Sequence, residues 1–236
     1  MYQQTIGLVG GFGGYATLHF FQRLLESFQT GCERDYPRIL MDNNFTMPSR
    51  TRALLYDADI EQITEMIAES MRNLIASGAD KIILVCGTAH WFLDGVYGLV
   101  PEAKERVVDI IEITGKKMQQ DQVQNCYVLA TEGTLKKQLY QKKLAPYGIT
   151  ALSPEEKKWE TIRYFIEAVK QAKLTDEVKA EFLSFVREEL KNCSEKPRVI
   201  LGCTELPVLV DDEALLEFAF EDPLENVLDY LKTNLY

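Results

Sequence analysis

The chain has 236 residues, 46% hydrophobic and 26% charged, with a formal net charge of −10 and a pI of about 4.9. That length buries one large core or two smaller ones. The acidity argues against a nucleic-acid partner, which is gripped by clustered Lys and Arg, and no apolar run approaches the roughly 20 residues of a membrane span. "MYQQTIGLVGG" lacks the basic flank and long apolar core of a signal peptide, so a soluble, cytoplasmic protein is expected.

In chain order, short apolar runs predict strands at 5–9, 37–41, 81–86, 106–111, 126–130, 148–152, 198–203 and 217–222. The clearest helix places Ile60, Ile63, Ile67, Met71, Leu74 and Ile75 on one face and stops at Gly78. Others are predicted over 134–144, 155–172, 176–192 and 224–234. Strands alternating with helices along the whole chain predict an α/β fold with mostly parallel sheet. Turn-rich segments follow the strands: "GGFGG", "NNFTMPSRT", "CGTAH", "ATEGT", "CTELP" and "EDP". Such strand ends line the ligand crevice of open parallel sheets.

Cys32, Cys86, Cys126, Cys193 and Cys203 are odd in number and never spaced C-x-x-C, and the only histidines are His19 and His90. This is neither a disulfide framework nor a zinc site. Two of the thiols nevertheless stand out. "KIILVCGTAH" around Cys86 is echoed half a chain later by "RVILGCTELP" around Cys203, and "IGLVGGFGG" more faintly by "YVLATEGT". A strand ending in Cys in each half predicts two similar lobes facing one crevice.

Two thiols on opposite sides of one carbon suit stereochemical inversion. One, as thiolate, removes a proton; the other returns one from the opposite face. A free thiol titrates near 8.5, and nearby donors lower it enough to make a base. Backbone N–H groups and the hydroxyls of Thr88, Thr131, Thr134 and Thr204 are candidate donors to the charge that develops on the substrate carboxylate. No pyridoxal cofactor is required by this chemistry.

These motifs together resemble the cofactor-independent aspartate/glutamate racemases. "TIGLVGGFGGYAT" resembles their glycine-rich opening, "NNFTMPSRT" their Pro-x-Arg-Thr loop and "CGTAH" their first cysteine motif. "LATEGT", "VKQAKL", "LGCTELP" and "EDPLENV" follow in the expected order. The resemblance covers essentially the whole chain. It implies Cys86 and Cys203 as the acid/base thiols and Arg50 as partner of the substrate's distal carboxylate, where a guanidinium fork fits. Lys170 is implied as a second cationic contact. Gly11 and Phe12 lie in the glycine loop, and Gly87, Thr88 and Ala89 match the loop that holds the backbone carboxylate. Glu205 and His90 sit beside the thiols, either tuning them or serving as a helix cap and a structural imidazole.

The resemblance further implies a small acidic amino acid as substrate, aspartate before glutamate, no cofactor, and a homodimer. It divides the chain into a first lobe, 1–112 plus 214–236, and a second, 113–213. One departure is conspicuous: Gly87 stands where the family usually has Asn. Glycine removes an amide donor, worth about 1.5–3 kcal/mol toward a charged group, and is expected to open space beside the reacting carbon. A changed substrate, a changed reaction within the wider superfamily, or amino-acid binding without catalysis are the alternatives this raises. A more distant rival reads Gly11-x-Gly13-x-x-Ala16, with Asp42 beyond it, as a relaxed dinucleotide fingerprint.

Overall fold

A computed structural model describes residues 4–28, 31–191, 193 and 196–235. Chain order begins β1 (Ile6–Gly10), α1 (Gly14–Ser27), β2 (Ile39–Asn43), α2 (Arg50–Tyr56), α3 (Ile60–Ala76), β3 (Lys81–Leu84) and α4 (Leu93–Leu99). It continues with α5 (Ala103–Arg106), α6 (Ile110–Gln120), β4 (Asn125–Leu129), α7 (Glu132–Lys136), α8 (Leu139–Leu144), β5 (Thr150–Leu152) and α9 (Trp159–Lys170). It ends with α10 (Asp176–Leu190), β6 (Arg198–Leu201), α11 (Asp212–Phe218), β7 (Phe220–Glu221) and α12 (Pro223–Asn234). The last residue of the helix predicted over 176–192 lies outside the described residues.

Two parallel sheets result, ordered β2-β1-β3 and β5-β4-β6-β7. A single parallel bridge, Ile82 to Val107, adds a fourth position to the first, so both sheets share one strand order. Helices cover both faces, as crossovers between parallel strands require. Alternation along β1 and β3 divides the first sheet's contacts: Ile6, Leu8, Ile83 and Val85 join a core that runs on into the second lobe. Val9, Ile82 and Leu84 join a separate core. The α/β fold of two similar lobes is therefore present.

Three expectations need correction. The strand expected over 106–111 is only the Val107 bridge, because the Asp109 carboxylate accepts N–H bonds from Ile111 (2.9 Å) and Glu112 (3.2 Å) and starts α6. The segment 214–236 does not return to the first lobe as a unit. Phe220–Glu221 pairs with β6 in the second sheet, whereas α12 packs on α6 and α1, tied by Arg23–Glu225 at 2.6 Å and by Asn226 donating to Thr114 at 3.1 Å. The helix expected over 134–144 is broken at Gln138, whose φ of 53° is left-handed, into α7 and α8.

Candidate active site

The loop after β3 and the loop after β6 cross at the lobe junction. Thr204 Oγ1 lies 3.5 Å from Val85 O. The backbones meet again at Gly87, one residue after Cys86, and Gly202, one residue before Cys203, since an added Cβ at Gly87 would overlap the Gly202 carbonyl oxygen. These two contacts bracket Cys86 and Cys203, which are 8% and 5% exposed. The thiols are thus enclosed at one crossing point. The room expected beside Gly87 is absent: Gly202 fills it, and glycine at 87 is what lets the second loop approach.

The surroundings of the two thiols differ. Burial pushes Cys86 up, while the positive charges of Arg50 and Lys170 and the Ala89 amide pull it down. Burial pushes Cys203 further up, and the Glu205 carboxylate reinforces the rise. Cys203 Sγ donates to Glu205 Oε2 at 2.9 Å. Glu205 is 4% exposed and makes no cap bond to the short helix it precedes; its other oxygen sits against Gly13.

His90 is structural. Its Nδ1 lies 2.9 Å from Cys86 O, which can only accept, and its Nε2 lies 3.4 Å from the Ile110 N–H, which can only donate. That fixes the neutral tautomer, and burial lowers its pKa. The ring pins the first cysteine loop to the start of α6.

Arg50 opens α2. Its guanidinium donates to Phe12 O at 2.5 Å and Pro48 O at 3.0 Å and lies 5.0 Å over the Phe12 ring. Its Nε is buried without a partner, a donor left for a ligand. Gly11 takes φ +79°, and its Cα abuts the Asn44 backbone. The glycine loop is thus occupied from within, by Asn44 on Gly11 and an acidic carboxylate on Gly13. A pyrophosphate would have to displace that carboxylate, so the dinucleotide reading does not fit.

Thr88, Thr131 and Thr134 form a closed ring of hydroxyls at 2.9–3.0 Å across the lobes. Beside it opens a cavity of about 540 Å³, lined by α2 from one lobe and by Thr131, Glu132, Arg163 and Lys170 from the other. Burial would lower Lys170, but Glu205, Cys203 and Glu167 together hold it above its ordinary value. The residues named as acid/base thiols and substrate contacts therefore lie at or beside the lobe junction, whereas Cys32, Cys126 and Cys193 are not part of it. Tyr140 and Gly202 were not foreseen: Tyr140 is wholly buried and its hydroxyl lies 3.3 Å from Gly202 O. An aromatic residue in a helix carries no sequence signal for that role. Among the described residues no cluster of His, Cys, Asp and Glu is placed to hold a metal, and no helix is long and apolar enough to cross a membrane.

The fold is shared with solved racemases. The Picrophilus torridus aspartate racemase superposes with a TM-score of 0.78 at 23% identity, covering 98% of this chain and 94% of that one. The glutamate racemase of Campylobacter jejuni gives 0.65 at 22% identity, covering 99% and 88%. The broad-specificity amino-acid racemase RacX of Bacillus subtilis is 23% identical over 211 residues, 87% of each chain. The Asp/Glu/hydantoin racemase family profile matches residues 9–224, so the chain belongs to that family of cofactor-independent isomerases and is an amino-acid racemase.

Proposed function

We propose that the protein interconverts the enantiomers of a small acidic amino acid, aspartate before glutamate, by two-thiol proton transfer at the α-carbon. The observation that carries this reading is the crossing of the two cysteine loops, with a contact on either side of the Cys86–Cys203 pair. The unpartnered Nε of Arg50 supports a distal carboxylate, and the cationic Lys170 at the cavity wall a dicarboxylate substrate. A cytoplasmic setting and a homodimer complete the reading.

In this mechanism the Cys203 proton passes uphill to Glu205 along the existing hydrogen bond, against the burial and carboxylate charge that favour the thiol, leaving a transient thiolate. That thiolate takes the α-proton from one face while the Cys86 thiol delivers its own to the other. The enzyme ends with its protons exchanged between the thiols and runs the opposite direction from there. Charge that builds on the substrate carboxylate is met by backbone amides and by the threonine ring, which must open to donate. The hydroxyls satisfy one another only until an anion competes for them.

The test is α-proton exchange in heavy water, followed by NMR, across L- and D-amino acids. Exchange with aspartate or glutamate and accumulation of the other enantiomer is expected. Exchange confined to neutral amino acids would overturn the substrate assignment, and exchange with none would overturn the racemase reading for these acids.

A further inference from the structure

Between the two cysteine loops lies one side chain that the chemistry above does not use. Tyr140, on α8, is 0% exposed. Its ring edge lies 2.9 Å from where a Cβ on Gly202 would sit, and its hydroxyl 3.2 Å from where one on Gly87 would sit. The hydroxyl donates to Gly202 O at 3.3 Å. That same carbonyl is the group pressed against Gly87. The Gly202 N–H is held separately, by Leu129 O at 2.7 Å. Gly202 is therefore gripped at its N–H by the sheet and at its carbonyl by Tyr140 and Gly87.

We propose that Tyr140 is a positioning residue for racemisation: by holding the Gly202 carbonyl against Gly87 it sets the gap between the two thiols. This rests on the two-thiol reading. The gap matters because both proton transfers need the α-carbon within reach of both sulfurs, and misplacement by about 1 Å costs as much as a hundredfold in rate. A phenol suits the task because it fills the space between two glycines and keeps its proton: burial, with the negative charge of either thiolate, raises its pKa well above the usual range. At 3.3 Å the bond is long for O–H···O, as such bonds often are before substrate tightens the site.

The test compares Tyr140→Phe with Tyr140→4-aminophenylalanine, which returns a donor at the same place. Tyr140→Phe is expected to lower kcat about three- to tenfold in both directions, the size of one hydrogen bond, with KM within about twofold. The 4-amino variant is expected to recover most of it. Gly87→Ala, with Tyr140 intact, is expected to push the carbonyl away and lower kcat by a larger factor, again with KM held. It carries the test if Tyr140→Phe proves too unstable to assay. Wild-type kcat in Tyr140→Phe or in Gly87→Ala, whatever the melting temperature, would overturn the assignment. So would a Tyr140→Phe loss that the 4-amino variant does not restore. A failure of the two-thiol reading itself is distinguishable, since it would leave Cys86→Ala active.

Discussion

The strands β3 and β6 echo one another up to their cysteines, yet the two thiols sit in different surroundings. Cys86 faces the Arg50 cation and an amide; Cys203 donates to a buried carboxylate. An inversion needs one group that gives a proton and one that takes it, so two identical environments would serve it poorly. The duplicated strand end supplies matched geometry, and the residues that follow each cysteine, four positions on in the first loop and two in the second, supply the difference. His90 and Glu205 show how. One is locked into the scaffold, bonded to Cys86 O and the start of α6, while the other reaches its neighbouring sulfur directly.

The largest effect that can break this comparison is loss of either thiol. Cys86→Ala and Cys203→Ala are each expected to lower racemisation by at least about a thousandfold, since members of a unit are not additive; full activity in either would sink the two-thiol mechanism. Next comes Glu205→Gln. It keeps the shape but removes the proton acceptor, and kcat is expected to fall by about ten- to a hundredfold, within the range for general-base removal, with little change in KM. Arg50→Ala is expected to raise KM for dicarboxylic substrates by about tenfold or more, as loss of a charged hydrogen bond implies. An equal effect on a monocarboxylic amino acid would show that Arg50 serves the fold instead. Finally, because burial raises both thiols and the Cys203 proton passes to Glu205 without leaving the protein, kcat/KM is expected to stay level between about pH 7 and 9. A climb there would mean that the active form must first lose a proton to solvent and that Glu205 is not its acceptor.

Much of this arrangement was legible in the sequence because parallel strands buried on both faces write themselves as unbroken apolar runs. β3 and β6 are such runs, and the cysteines mark their ends. What was not legible depends on neighbours distant in the chain. Gly87 read alone promises space, but the space is taken by Gly202, 115 residues on. Tyr140 lies on a helix whose entry depends on a left-handed Gln138, a conformation no glycine or asparagine announces. "RVVDII" is apolar enough for a strand, yet one aspartate in its middle converts half of it into the start of a helix.

That aspartate offers the smallest and sharpest test of the lobe comparison. Asp109 and Asp222 both cap the helix that ends a lobe, Asp222 by accepting from the Leu224 N–H at 2.8 Å. Burial would raise Asp109, but Lys143, hydrogen-bonded to it, and the Glu112 backbone N–H outweigh burial and lower its pKa. Burial raises Asp222 to about 7, with Glu225 adding to the rise and Arg23 only partly offsetting it. The signs are therefore opposite. Stability from Asp109 is present above the ordinary aspartate value and lost as pH falls through its lowered one. For Asp222 the folded protein holds the proton more tightly than the unfolded chain, so its contribution is present below the ordinary value of 3.8 and lost as pH rises toward about 7. Asp222→Asn keeps the cap acceptor and abolishes the titration. Relative to wild type, its melting temperature is expected to rise steadily, by several degrees, between pH 4 and about 7, and to stay level above. A difference that is constant across that range would mean that Asp222 is already ionised and that the two caps are equivalent after all.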